Sequence, residues 1–231
     1  MRRRRAVLVL VVGTALLAAV AAVMPQLIEE SSIGWSTVNT KGVPAEQGSA
    51  QEALGKLEVK GRASKTGYAR TEFGNGWAKV NGCTTRDIIL HRDLENVVLD
   101  TDCKVVGGQL HDPYTATTIM FNRDNANEVQ IDHVVALSDA WQKGAQQLTK
   151  TQREQLANDP LELLAVDGGA NQQKSDGDAA TWLPKNKSFR CAYVARQIAV
   201  KVKYSLWVSE AEKNAMNDVL SGCPTQQLPV M

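Results

Sequence analysis

The first 25 residues constrain this chain more than any later stretch, because they set the compartment and with it the chemistry of the four cysteines. Met1 is followed by Arg2 to Arg5 and then by an uncharged apolar run from Ala6 to Val23, closed by Met24 and Pro25. A basic segment leading a hydrophobic one is the pattern of an export signal, and Ala19-Val20-Ala21 offers a small-x-small cleavage site. The run is also near the ~17–25 residues of a spanning helix. Residues 1–24 therefore read as a signal peptide or an N-terminal membrane anchor, with the arginines on the cytoplasmic side. The rest is expected to be secreted, or held on the outer face of the membrane by that segment alone.

Outside the cytosol, Cys83, Cys103, Cys191 and Cys223 are expected to form two disulfides. None has C-x-x-C spacing, so they do not make a structural zinc site. Three pairings are open. Cys83–Cys103 with Cys191–Cys223 is the favoured one, since each closes a local loop between expected elements. Charge argues against a strongly basic nucleic-acid binder. Without the four leading arginines, 26 Lys and Arg become 22 against 25 Asp and Glu, a net charge of −3.

Residues 25–55 read as a flexible linker, rich in Ser, Thr, Gly and Pro. A domain is expected over 56–225, followed by a short tail, 226–231. Arg86 to Val98 suits a short helix leading into a strand. Thr115–Arg123 and Asn127–Leu137 are rich in β-branched residues, and Asp124-Asn125 between them suggests a hairpin. Helices are expected over Ser138–Leu148 and Thr151–Asn158, the latter opened by a Thr151/Glu154 capping box. Leu161–Val166 reads as a strand, Asp167-Gly168-Gly169 as a turn, and Asn171 onward as a helix. Asn186–Tyr204 and Ser209–Ser221 complete the helices, the last with a Ser209/Glu212 capping box. The sum is an α+β fold weighted towards helix at its C-terminal end.

Two clusters can carry chemistry. Asp132-His133 lies near the end of an expected strand. Adjacent strand residues point to opposite faces, so a twist or bulge is needed to bring both to one centre. After a strand and a glycine turn come Asn171 and Lys174, three apart and on one side of a helix, with Asp176 and Asp178 beyond. Carboxylate and amide oxygens suit a hard cation, and a lysine suits phosphate. His91 and His111 have no such company. Trp77, Trp141, Trp182 and Trp207 read as packing residues, with Trp182 alone a candidate nucleic-acid contact.

Strand–Asp132-His133–helical insert–LELLAV–turn–Asn171-x-x-Lys174 resembles the ββα-metal unit of HNH (His-Me finger) endonucleases. From about Leu57 to Cys223 the chain is similar to secreted bacterial HNH proteins with a GmrSD-like nuclease core, through VKGRASKTGYAR, NGCTTRDIILHRDL, DPYTATTI, VQIDHVVALSDAWQKGAQQL, ANDPLELLAVDGGANQQKSDGDAATWLP and NKSFRCAYVARQIAVKVKY. The resemblance implies a disulfide-stapled ββα-metal core with added helices, and an endonuclease acting on nucleic acid, DNA favoured over RNA. It casts His133 as the general base and Lys174 as a phosphate contact. Asp132 and Asn171 become ligands of a divalent ion, Mg²⁺ or alternatively Mn²⁺. Asp176 and Asp178 become outer partners of that site.

Glu162-Leu163-Leu164 stands where the family usually has Asn-Leu-Leu, and Cys83-Thr84-Thr85-Arg86 where it often has Cys-Asp-Thr-Arg. A carboxylate accepts hydrogen bonds but cannot donate them. Glu162 is thus expected to loosen the loop behind His133 and to add negative charge near phosphate. The competing function is a noncatalytic exported binding domain on an HNH scaffold. A zinc hydrolase lacks the His and Cys ligands it needs.

Overall fold

A computed structural model describes residues 48–229, all within one compact unit. The leader and most of the linker lie outside the described residues. The linker's end does not: α1 (Ala50–Lys56) is capped by Ser49 and buries Ala50, Ala53 and Leu54. Its apolar i, i+3, i+4 spacing packs it against the two C-terminal helices, so the folded domain begins before Lys56.

A short hairpin, β1 (Lys79–Val80) and β2 (Cys83–Thr84), leads into α2 (Thr85–Asp93), capped by the Thr84 hydroxyl. β3 (Glu95–Leu99), β4 (Val105–His111) and β5 (Thr118–Asn122) form an antiparallel sheet. β6 (Val129–His133) pairs in antiparallel register with β7 (Leu163–Asp167), running from Val129 opposite Asp167 to His133 opposite Leu163. Between them lie α3 (Leu137–Gln142) and α4 (Lys150–Ala157). After β7 come α5 (Gly168–Lys174), α6 (Arg190–Lys203) and α7 (Glu210–Ser221).

The expected helix–strand over 86–98 is present as α2 and β3. The expected hairpin is not. β5 pairs with β4 and β6 with β7, because the 18-residue span from β4's start to β5's end forms its own hairpin around Gly107 and Gly108. The α4 capping box is Thr149 with Gln152, not Thr151 with Glu154. The Ser209/Glu212 box stands as read. α5 starts at Gly168, three residues before Asn171, because the Asp167 side chain caps the Ala170 N–H and turns the glycine pair helical. A Cβ on Gly168 would lie 2.0 Å from the Asn127 carbonyl oxygen, so only glycine lets α5 close onto the β6 end of the hairpin.

The β6–β7 hairpin is buried on both faces. Val129, Ile131, Leu163 and Ala165 face a smaller core with α2, β4 and β5, while Leu164 and Val166 face the main helical core. Period-2 alternation therefore sends Asp132 to the helical side and His133 to the other. Both disulfides are the favoured pair: Cys83–Cys103 ties β2 to the approach to β4, and Cys191–Cys223 ties α6 to the end of α7.

Three cations and three anions from distant segments meet inside the domain. Lys143 Nζ donates to Asp178 at 2.8 Å and to Glu212 at 2.7 Å, and pairs with Asp139 at 2.8 Å. Lys201 reaches Glu212 at 3.0 Å, and Arg62 reaches Asp178 at 2.8 Å and Asp139 at 3.1 Å. Burial alone would raise the Asp178 pKa, but Lys143 and Arg62 outweigh it and hold it at about 2. This cluster ties the Arg62 segment, α3, the chain beyond α5, α6 and α7 together. Asp178 serves it.

Candidate functional site

His133 ends β6, and only 7 % of it is exposed. Its Nε2 lies 3.0 Å from the carbonyl oxygen of Ala157, the last residue of α4. A carbonyl only accepts, so Nε2 carries the proton and the Nδ1 lone pair is the basic one. The Trp77 indole lies almost parallel to the imidazole, 6° between planes and 5.8 Å between centroids. Burial pushes the imidazole down to about 3, and the charge of Arg70 adds to the shift. His133 is thus neutral across the ordinary pH range.

On the other side of the hairpin, Asp132 is sealed. Lys174 Nζ donates to its Oδ1 at 2.9 Å and to the His133 carbonyl at 2.7 Å, and the Tyr114 hydroxyl donates to Oδ2 at 2.5 Å. Lys174 and Tyr114 are fully buried. Asn171, one turn earlier on α5, donates from Nδ2 to Gln130 Oε1 at 2.8 Å. The spacing of three thus lays both side chains along the Gln130/Asp132 face of β6.

This arrangement corrects several expectations. The register of β6 is regular and carries no bulge to turn Asp132 and His133 to one centre. Lys174 is an internal partner of Asp132, closed to phosphate by burial. Asp176 is exposed and pairs with Lys65 at 3.2 Å and Ser138 at 3.3 Å, while Asp178 belongs to the ionic cluster; neither bonds to Asp132 or Asn171. Asp132 and Asn171 have the oxygen chemistry of a Mg²⁺ site. Even so, with an ammonium on one Asp132 oxygen and a phenol on the other they do not fit a cation as placed. Among the described residues no group of three or more His, Cys, Asp or Glu side chains could hold a metal.

Glu162 resolves differently from its sequence reading. It is fully buried, its backbone carbonyl accepts the Val134 N–H at 2.9 Å, and its Oε2 accepts the Val135 N–H at 3.2 Å. The missing donor comes from α6: Gln197 Nε2 donates to the Val134 carbonyl at 2.8 Å. The turn after His133 is therefore held on every side. Burial drives the Glu162 pKa well above the usual carboxylate range, which favours the neutral acid and works against the charge expected at the site. Glu162→Gln, which keeps the acceptor without the titration, is expected to leave the melting temperature nearly unchanged. Glu162→Ala, which orphans the Val135 N–H, is expected to cost about 1–3 kcal/mol. Equal melting temperatures for the two variants would show that the carboxyl holds nothing.

Tyr114, Trp182 and Tyr193 form an edge-to-face aromatic cluster beside Asp132. Trp182 is thus part of the packing and not a nucleic-acid contact in waiting. Sequence reasoning missed Tyr114, which sits in DPYT with no periodic signal, and Trp77, whose nearness to His133 depends on a loop. A groove of about 620 Å³ lies at the far end of the hairpin, lined by Glu128 and Asp167 among others. Its acids and its distance from His133 suit no phosphate chemistry.

Residues 84–219, more than half of the chain, match the family described as "GmrSD restriction endonucleases, C-terminal domain". The chain belongs to that family. An uncharacterized secreted protein of the fungus Arthroderma benhamiae is 38 % identical to this GmrSD C-terminal-type domain protein over 177 residues, covering 75 % of this chain and 84 % of the relative. No solved structure matches it. The matched span holds β6, β7 and α5, both clusters and Glu162, and it begins just after Cys83. The family is one of nucleases by description, and the secreted relative agrees with the two disulfides. The relative is fungal, so the resemblance is not confined to bacterial proteins.

Proposed function

We propose that this protein is an exported HNH-type endonuclease that hydrolyses phosphodiester bonds in nucleic acid, DNA favoured over RNA, with His133 as general base. The observation that carries the reading is the His133–Ala157 hydrogen bond at 3.0 Å, which fixes the proton on Nε2 and leaves Nδ1 free to take one from water. The hydroxide attacks phosphorus, the bond to the 3′-oxygen breaks, and that oxygen takes a proton from solvent. β6 and β7, paired across a helical insert, and α5 after them come in ββα order with this residue at the end of β6, which supports the His-Me finger assignment. Lys174 acts as a positioning residue, fixing Asp132 and the His133 backbone together.

No step here runs through a metal. Mg²⁺ or Mn²⁺ remains the cofactor that the family resemblance implies, but seating it on Asp132 and Asn171 requires Lys174 to leave Asp132. Plasmid DNA and RNA incubated with the purified exported chain, with Mg²⁺, with Mn²⁺ and with EDTA, test the reading. Cleavage of DNA under at least one condition is the expected result. Intact DNA and RNA under all three would overturn it.

The sealing of Asp132 by Lys174 and Tyr114 favours a second reading, an exported binding domain without catalysis on the same scaffold. That reading requires nucleic acid to bind and survive. Export itself rests on the leader, which lies outside the described residues; no helix among those described is long and apolar enough to cross a membrane.

A further inference from the structure

We infer that Arg70 is the residue that holds the substrate at His133, its guanidinium gripping two oxygens of a backbone phosphate of nucleic acid. The inference rests on the nuclease reading of His133 and supplies the grip on substrate that burial denies to Lys174.

With Lys174 sealed against Asp132, the His133 side of the hairpin needs another cation to receive a phosphate. Arg70 opens the 3₁₀ turn Arg70–Phe73, and that turn is fixed in place. Phe73 is buried against Tyr68 and Trp141. Arg153 of α4 donates from Nε to the Glu72 carbonyl and from Nη2 to the Glu72 carboxylate, both at 2.9 Å. A Cβ on Gly74 would lie 3.3 Å from the Glu154 side chain, so the chain leaves the turn still against α4. α4 ends at Ala157, whose carbonyl holds His133. Turn, helix and imidazole therefore form one packed assembly.

Within it, Arg70 lies beside the imidazole. Its charge acts on His133 more strongly than that of Lys174, although Lys174 Nζ is only 2.7 Å from the His133 carbonyl. Unlike Lys174, Arg70 is exposed, and its side chain makes no hydrogen bond or ion pair among the described residues. The reason is local: Glu72, the acid on the same turn, is already paired with Arg153. Arg92, beside β7, is not available either, being held by Asp93 and by the carbonyls of Pro160 and Leu163. An unpaired guanidinium offers a planar fork of donors that matches two oxygens of a phosphate, and it keeps its charge at any ordinary pH. Beside a neutral base it attracts the anion without supplying the proton that the base must take from water. A backbone phosphate is common to every nucleotide, so this grip carries no sequence information. It also needs no basic surface: one local cation does what the net charge of −3 (22 − 25) on the exported part cannot.

The test measures binding of a duplex DNA oligonucleotide over a salt series in EDTA, on the exported chain carrying His133→Ala so that the DNA stays whole. Adding Arg70→Met is expected to weaken binding about 10- to 100-fold, the worth of hydrogen bonds to a charged group. It should also flatten the slope of log Kd against log salt by about 0.9, the counterion release of one phosphate contact. Arg70→Lys, a point charge without the fork, should keep the slope and recover part of the affinity. With His133 intact, Arg70→Met should lower kcat/KM for the same duplex by a similar factor. Its melting temperature should stay within about 2 °C of the parent's, since the side chain it removes bonds to nothing. Unchanged affinity and slope in Arg70→Met would overturn the inference and leave the nuclease reading standing. An equal loss from Lys185→Met would overturn it too, since Lys185 is exposed next to the Asn186 that bonds to Tyr114 on the Asp132 side, and net charge alone would then be at work. A flattened slope in a protein whose parent cleaves neither DNA nor RNA would sink the nuclease reading and keep Arg70 as a phosphate contact.

Discussion

Replacing His133 with alanine is expected to lower phosphodiester cleavage by about 10²–10⁴-fold, the usual contribution of a general base. The fold should survive, because the turn after His133 is held by Glu162, Gln197 and Lys174 through backbone groups that the substitution does not touch. Cleavage rate and near-ultraviolet dichroism measured on the same sample check both halves. A variant that cleaves like the parent would make His133 a packing residue and end the proposed mechanism. The low basicity of His133 has a second consequence for the parent. Its folded pKa, about 3, is depressed below the unfolded value of about 6.5. The stability it contributes is therefore complete above pH 6.5 and is lost as pH falls from there towards 3. His133→Ala should unfold less readily in acid, relative to its own stability at neutral pH, than the parent does.

The larger effect on stability is expected at Lys143. Lys143→Met removes the ammonium that Asp139, Asp178 and Glu212 share, leaving three buried carboxylates with Lys201 and the half-exposed Arg62. Breaking one partner out of a buried ionic group typically costs about 3–5 kcal/mol, because the remaining charge is stranded away from water. For a domain of this size that corresponds to a fall in melting temperature of roughly 6–20 °C. Replacing Lys185 or Lys187, exposed beyond Asp178, should change it by no more than about 2 °C. A Lys143→Met variant that melts with the parent would show that the cluster adds no net stability.

The local alphabet of the fold was legible in the sequence, and its long-range grammar was not. Hydrophobic spacing and capping residues located α2, α4, α6 and α7, and β-branched runs located β5, β6 and β7 to within a few residues. Pairing was misread because proximity along the chain made β5 the natural partner of β6. Nothing in either strand announces that β4, with two glycines in its middle, lies across β5. The disulfides were legible because the compartment makes cysteines pair and loop closure favours near neighbours.

At the site, residue types were readable but directions were not. Lys174 looked like a phosphate contact because lysines on a helix start are usually solvated. The sequence could not reveal that α5 would press it into the hairpin against Asp132. Glu162 looked like a misplaced charge because a one-letter code carries no protonation state, and burial decides that state here. Trp77 was invisible as a site residue, since 56 positions separate it from His133 and only the glycine-flanked loop closes that distance.

The seam between α1 and the C-terminal segment has a topological meaning. The Ala50 N–H donates to the Gln226 carbonyl at 2.9 Å, and Ser49 bridges Gln227 in antiparallel fashion. The two ends of the folded unit thus lie side by side, and the backbone between them traces an almost closed ring. The position of the break in such a ring matters little to its contacts. Joining the ends through a short flexible linker and reopening the chain elsewhere, at the exposed Asp100–Asp102 turn for instance, would preserve every strand pairing. Gly48 and Leu228, near the two limits of the described residues, also meet on this patch. A segment joined directly at either limit of the folded unit would therefore emerge at one pole of the domain.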